Sequence, residues 1–124
     1  MTSLTITMPI PPQPLWQNRP CHWSKKSKAV REYKEKAYTK SLAKIGKRPK
    51  PQWLAGTLDV VFYWPDKRRR DPMNALAALK PAVDGMVGAG VLADDDKLMP
   101  GSTRFEIDKE APRVEITVQA KGTP

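Results

Sequence analysis

The chain has 124 residues, with 22 Lys+Arg against 13 Asp+Glu for a formal net charge of +9, and 40% of it is hydrophobic. That length supports one modest core and not two, and no apolar run nears the roughly 18–20 residues of a membrane span. Cys21 is the only cysteine and His22 the only histidine, which excludes an internal disulfide, a Cys-rich zinc site and most histidine-based chemistry.

The opening residues MTSLTITMPI lack the basic start and continuous apolar stretch of a secretory signal. Leu4, Ile6 and Met8 alternate with Thr5 and Thr7, the period of a half-buried strand. Pro11, Pro12, Pro14 and Pro20 then break regular structure over 9–20. A helix is expected from Ser24 to Ile45, stopping at Gly46, with Val30, Tyr33, Ala37, Leu42 and Ile45 as its apolar stripe and lysines over the rest. A basic linker follows. Leu58, Val60, Phe62 and Trp64 alternate as a second strand.

Asp66 to Arg70 reads as a charged loop, and Asp71-Pro72 as an N-cap followed by proline at the first helical position. Leu76, Leu79, Val83, Met86 and Val87 mark a helical core face ending near Gly88 or Gly90. Phe105 and Ile107 belong to a third strand and Val114, Ile116 and Val118 to a fourth, joined tightly around Glu110-Ala111-Pro112. The expected fold is a single α+β (mixed α/β) domain over 1–124 in β-α-β-α-β-β order. Two helices would pack on a small mixed sheet, with a frayed tail over 120–124.

The charge is divided. Residues 1–55 hold 12 Lys/Arg and 2 Asp/Glu (12 − 2 = +10), whereas residues 56–124 hold 10 and 11 (10 − 11 = −1). A basic half of this kind suits nucleic acid or an anionic surface, or serves as a solubilising lysine face. Lys25, Lys26 and Lys28 at the helix start, and Lys67, Arg68, Arg69 and Arg70 in the loop, are the candidate phosphate contacts; arginine grips phosphate through a planar fork. Trp16 and Trp23 are candidates for stacking on unpaired bases, while Trp64 belongs to the core.

Asp94, Asp95 and Asp96 are consecutive after an expected helix C-terminus, where like charges and the helix dipole both disfavour them. A hard cation such as Mg²⁺ or Mn²⁺ would relieve both terms; a solvated Asp-rich turn is the plainer reading. Lys80 and Asp84 stand at i,i+4 on one helix face, off the apolar stripe. Phosphodiester hydrolysis uses all these parts: carboxylates to hold metal, arginines to grip backbone, and a lysine to meet the charge that develops on phosphate.

The stretch RRRDPMNALAALKPAVDGMVGAGVLADDDK, residues 68–97, resembles the signature region of the RusA family of Holliday-junction resolvases from bacteria and their phages. The resemblance implies a homodimeric, cytoplasmic, Mg²⁺-dependent endonuclease (Mn²⁺ able to substitute) that cuts four-way DNA junctions by paired nicks. It matches Asp71, Lys80 and Asp95 to the catalytic residues, and Asp71, Asp94 and Asp95 to the metal site. Where the family reads Asp-x-Asp-Asn, this chain reads Asp71-Pro72-Met73-Asn74. A thioether is no ligand for Mg²⁺. Either Asn74, Asp84 or Asp94 takes over part of the coordination, or the chain binds branched DNA with weak or no cutting. A basic RNA- or ribosome-associated protein would have no need of the Asp94–Asp96 cluster.

Geometry adds a constraint. A straight helix over 72–89 would run about 27 Å at ~1.5 Å per residue and separate Asp71 from Asp95. An interruption at Pro81, a subunit-spanning site, or both, is therefore expected.

Overall fold

Alternating apolar and polar residues build four strands in the computed structural model, which describes residues 1–16 and 21–121. These are β1 (Ser3–Met8), β2 (Gly56–Trp64), β3 (Leu98–Ile107) and β4 (Arg113–Ala120). They form one mixed sheet in the order β1-β4-β2-β3, with β4 antiparallel to both β1 and β2 and β3 parallel to β2. Leu4, Ile6, Met8, Val60, Phe62, Trp64, Val114, Ile116 and Val118 are all buried. The polar alternates face the other way, where the Thr5 and Thr117 hydroxyls bond at 2.8 Å. One face is core and the other is wet, as alternation with period two requires.

Helices cover the core face. Helix α1 (Trp23–Ile45) starts one residue before the expected Ser24, because the His22 ring nitrogen accepts from the Ser24 N–H at 3.2 Å and so caps it. Its buried row is Tyr33, Ala37, Ser41 and Ile45, spaced by four, so Ser41 rather than Leu42 is enclosed. Tyr33 donates to the Pro9 carbonyl at 2.6 Å and ties the proline-rich segment to this helix. Of that segment, residues 17–20 lie outside the described residues, while Gln13–Leu15 forms a single 3-10 turn.

The second helix is divided, as the proline predicts. Helix α2 (Pro72–Ala77) ends where α3 (Lys80–Gly88) begins, with Ala78 and Leu79 between them. Pro81 cannot donate to the Ala77 carbonyl, and its ring would collide with it, so the ladder stops one turn earlier. Helix α3 lies against α1 at Gly85, where an added Cβ would run into the Lys34 carbonyl oxygen and come within 3.0 Å of Ala37 Cβ.

Two connections differ from expectation. β3 begins at Leu98, well before Phe105, and β2 lies between it and β4, so the link over 108–112 is not a hairpin turn. Asp108 Oδ1 accepts from the Glu110 and Ala111 N–H groups at 3.2 and 3.1 Å, and Asp108 Oδ2 pairs with Arg113 at 2.8 Å, which closes the link. The tail expected to fray from 120 is ordered through 121. Ala120 belongs to β4 and the Lys121 N–H donates to Ala55 O at 3.1 Å; residues 122–124 lie outside the described residues. No helix among the described residues is long and apolar enough to cross a membrane.

Candidate functional site

The break between α2 and α3 brings one of the expected groupings together. Lys80 opens α3, and its Nζ donates to Asp95 Oδ2 at 2.5 Å and meets Asp84 Oδ1, one turn on, at 3.0 Å. Asp95 reaches this point by a defined return path. Gly90, at φ +95°, ends α3 in the left-handed conformation. Val91 and Leu92 are buried, and Trp53 bridges to Leu92, with N–H bonds from Gln52 to Gly90 O and from Ala93 to Trp53 O. The chain then turns through Asp95–Lys97, where the Asp94 carboxylate caps the 3-10 turn by accepting from Asp96 N–H at 3.4 Å.

Lys80 is held above the ordinary lysine range, first by the hydrogen bond it donates to Asp95 and then by the one it donates to Asp84; Asp95 is correspondingly lowered by Lys80. At neutral pH this is an ammonium between carboxylates. It can donate to an oxyanion and stabilise charge, but it is a poor proton acceptor.

Asp71 has a different neighbourhood. Its Oδ1 accepts from Met73 N–H at 2.8 Å and Asn74 N–H at 3.4 Å, so it caps α2 as the Asp-Pro pair predicts. Asp71 and Asn74 line a cleft with Gln13, Trp16, Trp64 and Arg68–Arg70. Met73, 74% exposed, lines the adjoining cleft with Leu76, Lys80 and Asp95. The first turn of α2 is thus a ridge, with Asp71 facing one hollow and Met73 the other. A carboxylate at position 73 would stand in the hollow that holds Lys80 and Asp95.

The four basic residues of the loop are not equivalent. Arg70 Nη1 donates to the Asp66 and Arg68 carbonyls, both at 2.8 Å, and Nη2 pairs with Asp66 Oδ1 at 2.8 Å. Its guanidinium lies 4.4 Å from the Trp64 ring centroid, a cation–π contact. Arg70 therefore organises the loop, and its donors are largely spent inside the chain. Lys67, Arg68 and Arg69 are exposed and better placed to meet phosphate, as are Lys25, Lys26 and Lys28 on the first turns of α1. Trp23 is exposed, whereas Trp16 is half-buried beside Trp64 and donates to Pro11 O at 2.9 Å.

Asp66 sits below the usual carboxylate range, chiefly because the Arg68 backbone N–H donates to it, with Arg70 adding to the effect. A lowered folded-state pKa contributes stability above the ordinary Asp value, and that contribution is lost as pH falls through the folded value. Asp66→Asn should therefore lower the melting temperature at pH 7, and the difference should shrink as pH falls below the ordinary Asp value. Equal melting of both proteins at pH 7 would show that the Asp66–Arg70 contact contributes nothing.

A relative from Xylella fastidiosa (strain Temecula1), described as an uncharacterized protein, is 31% identical over 118 residues, covering 92% of this chain and 74% of the relative. The chain belongs to the family of that protein. No family model matches it.

No three His, Cys, Asp or Glu side chains among the described residues are grouped to share one metal ion. The donors nevertheless suit Mg²⁺. Asp71 uses Oδ1 for its cap and Asp95 uses Oδ2 for Lys80, so each carboxylate retains a second hard oxygen on an accessible surface. Mg²⁺ commonly keeps several waters and takes one or two protein carboxylates together with substrate phosphate.

Proposed function

We propose that this chain is a RusA-type, structure-selective DNA endonuclease that resolves four-way (Holliday) junctions by paired nicks in recombination and repair. The reading includes Mg²⁺ dependence, a homodimer matching the two-fold symmetry of the junction, and a cytoplasmic setting in a bacterium or its phage. The observation that carries it is the Lys80 ammonium seated between Asp84 and Asp95, one ridge away from Asp71 and an arginine-rich loop. That combination matches phosphodiester hydrolysis without histidine or cysteine.

In this reading Asp71 and Asp95 would offer carboxylate oxygens to the metal from opposite sides of the α2 ridge, with Asn74, Asp84 and Asp94 as the other candidate oxygen donors. The chemistry Mg²⁺ would supply when bound is the activation of a water and stabilisation of the charge developing on phosphate. Lys80 donates to the same phosphate oxygens, its charge fixed in place beforehand by the two carboxylates. Lys67, Arg68 and Arg69 hold the backbone on one side, and Lys25, Lys26 and Lys28 extend the basic surface.

A second reading, branched-DNA binding with weak or no cutting, is favoured by Met73, which lines the Lys80–Asp95 hollow where the family places a carboxylate. A synthetic four-way junction incubated with Mg²⁺ separates the two. The endonuclease reading predicts nicks in the junction and not in linear duplex, none in EDTA, and a rise of about tenfold or more in Met73→Asp. Tight binding with no metal-dependent nick in either protein would leave only the binding reading.

A further inference from the structure

The cleft beside Asp71 has more structure than a backbone grip requires. It encloses about 350 Å³, near the lower end of the roughly 300–1,000 Å³ of small-ligand pockets. That is room for one flat group and not for a duplex. Its floor is fixed: Arg70 is locked by Asp66 and stacked on Trp64, and Trp64 stacks in turn on Phe62 at 5.1 Å between centroids. Trp16, tilted 43° from Trp64 at 6.0 Å, supplies an aromatic wall anchored through its indole N–H. Gln13 and Asn74 bring side-chain amides to the rim, able both to donate and to accept. Arg68, with 81% of its side chain exposed, stands at the mouth with Arg69.

Stacking surface, amides and exposed guanidiniums together match the three parts of a nucleotide: the π-face of its base, the hydrogen-bonding edge, and the phosphate. We infer that this cleft takes one unstacked nucleotide of the DNA, its base against Trp16 and the edge of that base read by Gln13 and Asn74. Its phosphate rests on Arg68 and Arg69. The inference builds on the endonuclease reading but does not need cutting, since Trp16 and Gln13 touch neither Lys80 nor Asp95 in the adjoining hollow. Such a pocket would favour substrates whose bases are already free to leave the stack, because unstacking a paired base costs a few kcal/mol. At a junction crossover the continuity of stacking is interrupted, so a flanking base has less to lose on leaving the stack.

Affinity for four-way junctions is measured by fluorescence anisotropy in EDTA, with an abasic analogue placed in turn at each position flanking the crossover. Wild type should lose about tenfold in affinity when one of these positions is abasic, within the range one base–aromatic stack supplies. Trp16→Ala should lose a similar factor on the intact junction and nothing further on the abasic one. Gln13→Ala, at an exposed position, should narrow the gap without altering thermal melting, and serves if Trp16→Ala is unstable. Equal wild-type affinity for intact and abasic junctions overturns the inference, as does full retention of the gap in Trp16→Ala or in Gln13→Ala. The same junctions with Mg²⁺ report cutting separately: nicking without base dependence leaves the endonuclease standing and removes only the pocket.

Discussion

Lys80→Ala is expected to lower metal-dependent junction cutting by ~10²–10³-fold, the usual loss when one preorganised donor to a developing oxyanion is removed. Folding should hardly change. The Lys80 side chain is 59% exposed, and ion pairs at such positions contribute under about 1 kcal/mol. The variant leaves Asp84 and Asp95 as two like charges with nothing between them, so the site becomes more negative as well as losing a donor. Lys80→Arg keeps the charge but replaces a point donor with a planar fork, and should restore only part of the rate. Single-turnover cutting with thermal melting of the same samples checks this. Cutting unchanged in Lys80→Ala would remove the lysine from the chemistry.

Gly85→Ala should have the largest effect on the fold, destabilising it by roughly 2–3 kcal/mol, as overpacking of a tight core does. The backbone of α3 approaches α1 so closely that the new Cβ meets the Lys34 carbonyl, a backbone atom that cannot turn aside. Relief requires the helices to separate, and α3 carries Lys80 at its start and Asp84 beside Gly85. Loss of stability should therefore come with loss of the Lys80–Asp95 contact. Gly88 is the control: a Cβ there meets only the Tyr38 ring edge at 3.7 Å, an ordinary contact, so Gly88→Ala should melt close to wild type. Denaturant midpoints of the two variants check the contrast, and equal midpoints would show that helix approach does not govern stability here.

Where one residue's chemistry dictated the geometry, the fold could be read in advance. The alternation in β1, β2 and β4, the stop at Gly46, the Asp71 cap and the break before Pro81 are all of this kind. What could not be read depended on partners distant in the chain. The start of β3 runs through Leu98-Met99-Pro100-Gly101, a poor strand sequence, and is held by its parallel pairing with β2 across an irregularity between Leu58 and Val60. There Asp59 Oδ1 accepts from the Ser102 N–H and hydroxyl. The Trp53–Leu92 bridge that returns the chain to Asp95 has no local signal either.

The candidate site divides the same way. The pairing of Lys80 with Asp84 follows from helical spacing, whereas Asp95 joins them only through the return path. Gly85, directly after Asp84, has its physical role in the helix crossing, which depends on α1 and has no local signal. Arg70 looked like its neighbours in the arginine run, but its spacing from Asp66 directs it inward onto Trp64. An acidic residue four positions before an arginine was the available signal.

Single-turnover cutting of a four-way junction by wild type, Asp71→Asn and Asp95→Asn, with affinity measured on the same samples in EDTA, bears most directly on the chemistry assigned to these carboxylates. Asparagine preserves the shape of each side chain and, at position 71, the helix cap. The expected result is cutting by wild type only, with junction affinity in both variants equal to wild type or tighter. Cutting at wild-type rate in either variant would contradict the assignment.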